Sequence, residues 1–165
     1  MTVMAAKIKG NTITMSCDSQ VSRGDHSRTE GYMEKIIEGP DFLAGISGVA
    51  SMLTIMTMYA KNHPVGEGGI ERITEWMFEF QEFHEKRTKS WGQNGHVLLA
   101  HRSGLFSIFN SVPVQVDDFY GAGSGYQHAE TAMYLGKSTK EAVGVAIQMA
   151  DGCGGKIVTR KIRMN

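Results

Sequence analysis

With 165 residues the chain is long enough for one domain, 1–165, that removes about 70 % of its unfolded surface from water. Lysine plus arginine equals aspartate plus glutamate at 17 each, so formal net charge is zero and the pI is near 7.0. No basic excess is offered to phosphate backbones, which argues against nucleic acid as a partner, and low net charge favours self-association.

The first apolar segments, Thr2 to Lys9 and Thr12 to Cys17, are joined by Gly10-Asn11, which predicts a β-hairpin starting near the chain end. Ser19 to Gly31 is polar and reads as a loop. Met33 to Ile37 and Phe42 to Ser47 form a second expected strand pair, turned at Gly39-Pro40-Asp41. Val49 to Asn62 then reads as a helix; interrupted by Ser51, Thr54 and Thr57, it is too short and too polar to span a bilayer. His63 to Gly69 breaks structure. Beyond it Ile70, Ile73, Trp76, Phe80 and Phe83 recur at helical spacing, so one apolar stripe is expected along a long helix whose glutamates face water.

His96 to His101 and Leu105 to Phe109 predict another hairpin around Ser103-Gly104, and Val114 to Tyr120 a further short strand. The run Gly121-Ala122-Gly123-Ser124-Gly125 ends that strand and opens a helix from Tyr126 to Leu135. Ser138 and Glu141 form a capping box ahead of a helix reaching about Ala150. Gly152 to Gly155 leads into a last strand, Lys156 to Arg163. Antiparallel hairpins alternating with helix pairs predict a layered α/β (α+β) domain: a four-layer αββα sandwich, two antiparallel sheets face to face and covered by helices.

The six histidines make no ligand cluster, and the two cysteines, Cys17 and Cys153, lack metal spacing and are expected to be reduced. Met52, Met56, Met77 and Met149 are read as core filler on helix faces. The N-terminus lacks a basic region followed by an apolar run, so no secretory signal is read and a cytoplasmic location is expected.

Chemistry is concentrated at the start of the chain. Excision of Met1, which a small following residue permits, would leave Thr2 with a hydroxyl and a free α-amine, nucleophile and base on one residue. That amine must be substantially unprotonated at neutral pH, which calls for a nearby cation. Lys35 is the candidate, and Asp18, returned by the first hairpin to the start of the first strand, is the group to hold it charged; alone, each reads as a surface charge or turn residue. Gly48, between a strand and a helix, is placed for a backbone N–H to face a developing oxyanion. Ser124 sits at a similar turn, where capping the helix is the plainer role. A serine-hydrolase or dinucleotide site at 121–125 fails on spacing, because Ala122 and Tyr126 stand where such motifs need glycine.

These residues in this order resemble the β-type subunits of the proteasome family, the HslV-like peptidases in particular, over nearly the whole chain. Thr2 matches the N-terminal nucleophile; Cys17-Asp18-Ser19-Gln20, Met33-Glu34-Lys35-Ile36, Ala44-Gly45-Ile46-Ser47-Gly48 and Gly123-Ser124-Gly125 match the motifs that carry the carboxylate, the lysine, the oxyanion glycine and the serine supporting the amine. The resemblance implies an N-terminal nucleophile hydrolase fold and a threonine-type endopeptidase. It adds Asp151 as a supporting carboxylate, Ile46, Val21 and Ala50 as substrate-binding residues, and a structural Na⁺ on the carbonyls of Gly154, Ile157 and Arg160, with no cofactor needed for the chemistry. It also implies homo-oligomeric stacked rings that take unfolded protein from an HslU-like AAA+ unfoldase, since the chain has no Walker loop of its own. The competing expectation is a catalytically silent ring or shell protein of the same fold.

Overall fold

The computed structural model describes residues 1–22, 28–48, 50–89 and 95–165, the side chains of 22 and 28–30 excepted. Eleven strands and four helices follow one another: β1 (Val3–Lys9), β2 (Thr12–Cys17), β3 (Gln20–Ser22), β4 (Arg28–Tyr32), β5 (Ile36–Glu38), β6 (Phe42–Ser47), α1 (Ala50–Ala60), α2 (Ile70–Thr88), β7 (His96–His101), β8 (Gly104–Phe109), β9 (Val112–Val116), β10 (Phe119–Gly123), α3 (Tyr126–Tyr134), α4 (Thr139–Met149) and β11 (Val158–Arg163). One sheet has the order β10-β1-β2-β11, a second β5-β6-β7-β8-β9, and β3-β4 form a separate ribbon; every pairing is antiparallel.

Strand alternation sorts the side chains into layers. Met4 and Ala6 of β1, Ile13 and Met15 of β2, Leu43 of β6, and Leu98 and Ala100 of β7 meet between the two large sheets. The opposite faces carry Val3 and Ala5 against α3 and α4, and Phe42, Ala44, Ile46, Val97 and Leu99 against α1 and α2. Strands apolar on both faces are what a sheet buried on both sides requires. The expected αββα sandwich is therefore the observed one.

On α2 the predicted stripe is buried at Ile73, Trp76 and Phe80, and Trp76 donates its indole N–H to the His63 carbonyl at 3.0 Å. Ile70, at the helix start, is instead exposed, as is Met149 at the end of α4, which corrects its reading as core filler. The capping box forms as read, Glu141 N–H to Ser138 Oγ at 3.3 Å and Ser138 N–H to Glu141 Oε2 at 2.9 Å.

Three segments differ from expectation. The polar stretch 19–31 holds the β3-β4 ribbon, while 23–27 and Val49, the expected helix start, lie outside the described residues. Residues 33–35 precede β5 rather than belonging to it. The run 114–120 is two strands, because the Asp117-Asp118 bend breaks it; β10 then carries Gly121 and Gly123 into the sheet opposite Ala5 and Val3. Gly121 is tolerated there since a Cβ would strike Glu130 and the Tyr126 backbone. Among the described residues no helix is long and apolar enough to cross a membrane.

Two predictions follow from the packing. Leu98→Ala, emptying a fully buried position between the sheets, lowers the unfolding free energy by about 2–5 kcal/mol in denaturant titrations with circular dichroism. Burial lowers the pKa values of His96 and His101 below the ordinary 6.5, for His101 against the opposing pull of Asp41. The unfolded chain then binds more protons below pH 6.5, so stability present above that pH is lost as pH falls through the lowered folded values. Unfolding at pH 5.5 should need less urea than at pH 7.5, and His96→Gln should flatten the difference.

Candidate active site

Asp18 leaves the end of β2 opposite the start of β1 and is fully buried. Its backbone N–H donates to the Val3 carbonyl at 3.1 Å. Its carboxylate accepts three donors: Val3 N–H on Oδ1 at 3.0 Å, Gly154 N–H on Oδ2 at 3.1 Å, and Lys35 Nζ on Oδ1 at 2.8 Å. Lys35, just before β5, is 4 % exposed, and its own carbonyl accepts the Ile46 N–H at 3.2 Å. Its ammonium also donates to the Met1 carbonyl at 3.0 Å. A buried ion pair survives only with its remaining valences met, and here they are met by backbone N–H groups and a carbonyl.

Thr2 follows in the same cluster. Its N–H donates to Ser124 Oγ at 3.3 Å, while its carbonyl accepts Ser124 Oγ–H at 3.2 Å and Gly125 N–H at 3.3 Å. The N-cap of α3 is Gly125, so the serine hydroxyl is spent on Thr2 rather than on the helix. Gly123, at φ +86°, has no room for a side chain because the Thr2 carbonyl occupies the space a Cβ would take. At Gly125 a Cβ would stand 2.9 Å from that of Val3. Close backbone approach from β10 thus clamps Thr2 at the sheet edge.

Thr2, Lys35, Gly48 and Ser124 line one cleft of about 360 Å³, together with Val21, Ile46 and Ala50. Gly48 closes β6 at φ +120°, a conformation that glycine alone adopts without strain. Met33, Ser47 and Leu53 add to the lining and were not singled out from the sequence; apolar residues flanking the Lys35 and Gly48 motifs were the available signal. Met1 also lies in the cleft, its side chain over Gly152 in space a Cβ there would fill.

Asp151 is not brought to this cluster. It is exposed in the turn after α4, and its successors take the place: Gly154 reaches Asp18, and Cys153 Sγ stands 3.7 Å from Ser124 Oγ. Both cysteines are free and buried; desolvation pushes the Cys17 thiol up to about 12 and raises that of Cys153 as well, so neither supplies a thiolate at neutral pH. The carbonyl of Gly154 accepts the N–H groups of Ser19 and Gln20 at 3.2 and 3.0 Å. Both lone pairs of that oxygen are engaged, and the Na⁺ ligand set implied by the resemblance does not fit with Gly154 in it.

No protein-family model and no curated protein matches the sequence. Solved structures do. They share the α+β sandwich described above. The chain is similar to BPH of Thiobacillus denitrificans, in its complex with epoxomicin (TM-score 0.87, 20 % identity, 99 % of each chain covered) and in a second structure (TM-score 0.86, 20 % identity, 99 % of this chain and 98 % of that one). It is also similar to eukaryotic HslV from Trypanosoma brucei, with a TM-score of 0.71 at 13 % identity over 98 % of this chain and 99 % of that one. The HslV-like resemblance of the sequence therefore holds for the fold.

Asp18→Asn leaves the Lys35 ammonium buried without its counter-charge and lowers the unfolding free energy by about 3–5 kcal/mol. The double change Asp18→Asn with Lys35→Met recovers part of that loss. Strictly additive costs in a double-mutant cycle by chemical denaturation would mean that the pair is not coupled.

Proposed function

We propose that this chain is a threonine-type endopeptidase of the HslV-like, proteasome β-type family. The observation that carries the reading is a buried ammonium–carboxylate pair whose lysine already bonds the carbonyl preceding Thr2. Removal of Met1 exposes the Thr2 amine and takes that acceptor away from Lys35. The cation then stands beside a new amine, disfavours its protonated form, and leaves it a base for the hydroxyl of the same residue.

The reaction runs as acyl transfer. Thr2 Oγ1 attacks a peptide carbonyl, and its proton passes to the Thr2 amine. The oxyanion is met by the Gly48 N–H, from a cleft-lining residue whose φ of +120° a side chain would strain. Collapse of the tetrahedral intermediate expels the amine of the following residue, which takes the proton, and leaves an ester on Thr2. Water activated by the same amine hydrolyses it. Ser124, bonded to both the N–H and the carbonyl of Thr2, fixes the orientation of the base. Val21, Ile46, Ala50 and Leu53 give the cleft an apolar wall, which favours a medium-sized apolar side chain before the scissile bond.

The same reading extends to assembly: copies join in stacked rings in the cytoplasm and receive unfolded protein from an HslU-like AAA+ partner. Support comes from the shared fold, from zero net charge and from the absence of a Walker loop in the sequence.

Active protein should begin at Thr2 by intact mass, and epoxomicin, the compound in one BPH structure, should add one equivalent to that residue. Thr2→Ala should lower hydrolysis of leucine-containing fluorogenic peptides by at least about 10³-fold with the circular dichroism spectrum retained. Peptidase activity from protein that retains Met1 would overturn the mechanism, and an unlabelled, inert assembly would leave the silent shell protein.

A further inference from the structure

Gln20 opens β3 two residues after Asp18 and lines the cleft beside Thr2 and Val21. The residue is 7 % exposed, and its backbone is tied down by the bond from Gln20 N–H to the Gly154 carbonyl at 3.0 Å. Around it Ser19 is fixed as well, since Ser19 Oγ accepts the Lys156 N–H at 2.8 Å. The side-chain oxygen lies over Gly154, in space that a Cβ on that glycine would occupy, so the amide is wedged against the 154–156 segment. Its Nε2 is buried and donates to nothing.

A buried amide donor without an acceptor is rare because water has been stripped from it with no bond in return. Polar neighbours of the site are engaged: Asp18 holds three donors, Lys35 two acceptors, and Ser124 both ends of Thr2. Met1 lines the same cleft as Gln20, so its loss widens that cleft. We propose that Gln20 is a substrate-binding residue whose Nε2 donates to a main-chain carbonyl of the peptide held across Thr2. The inference rests on the peptidase reading and names a contact within it. A site that buries an unmet donor rejects occupants that cannot meet it, so Gln20 selects for an extended peptide carbonyl at that point.

The side chain acts before and during catalysis alike, which makes its contribution one of uniform binding. For Q20M, close in volume but without a donor, KM for a leucine-containing fluorogenic peptide should rise about tenfold, with kcat changed by less than about threefold. Because the donor is unmet in the free protein, Tm of Q20M should equal or exceed that of the parent. A structural role predicts the reverse, a lower Tm with KM unmoved. Q20A serves as the second variant; an unfolded product from both, or an unchanged KM in both, overturns the proposal. A T2A background separates this inference from the chemistry. There, calorimetric binding of N-acetyl-trileucine amide that weakens about tenfold with Q20M supports the contact whether or not Thr2 is a nucleophile. Binding that is absent, or undiminished by Q20M, overturns it.

Discussion

The carboxylate of Asp18 is the point through which the rest of the site is held. It is fully buried, and its three donors come from three separate stretches of chain: the start of β1, the residue before β5, and the segment ahead of β11. None is a sequence neighbour, and each is drawn to the same two oxygens. A charge in that position is tolerable only because all these donors converge on it, and the donors are where they are only because the charge is there. Thr2 sits one residue before the Val3 N–H on this anchor, so the geometry of the carboxylate sets the position of the threonine.

The layered core explains why such an anchor can be rigid. Between the sheets Met4, Met15, Leu43 and Leu98 fill the space with apolar side chains, and Gly45 of β6 is left bare where a Cβ would press on the Met4 sulfur at 2.7 Å. The sheets therefore approach at that level, and the ends of β1, β2, β6 and β10 gather at one rim. The cleft opens there, between strand ends of both sheets, with α1 on one side. Side chains on strand ends are held more firmly than those on free loops, which is what the proposed nucleophile Thr2 would need.

Local pattern carried most of the fold into view. The Gly10-Asn11 hairpin, the stripe on α2 from Ile73 onward and the Ser138–Glu141 box are set by neighbours within a few residues, and they stand as read. Where pattern crossed a bend it misled: apolar alternation runs on through 114–120, although the Asp117-Asp118 bend divides it. The β3-β4 ribbon was invisible because its sequence is mostly polar and shows no apolar alternation. In the site, Asp18 and Lys35 were legible because a hairpin of known length must return the chain to its start. Ser124 was ambiguous from sequence, as a serine before a helix is an equally good cap. The crowding at Gly123 and the unmet amide of Gln20 depend on contacts more than 100 residues apart in the chain, with Thr2 and Gly154, and left no mark on any local pattern.

That crowding has a chemical consequence. Gly123, Gly125, Gly152 and Gly154 each lack a side chain where Thr2, Val3, Met1 and Gln20 approach, and Gly123 among them lines the cleft, so backbone forms part of its surface beside Thr2. Backbone N–H and C=O groups are fixed by the sheets and cannot reorganise as charge develops, the condition under which dipoles stabilise a transition state most strongly. Among the groups in the cleft are the Thr2 hydroxyl, the Ser124 hydroxyl that bridges its main chain, and the Lys35 ammonium, which the proposed removal of Met1 would release from the Met1 carbonyl. On the proposed peptidase reading, selectivity comes from the wall, where Val21, Ile46, Ala50 and Leu53 set the shape of the space, while affinity for the peptide main chain comes from donors fixed before it arrives.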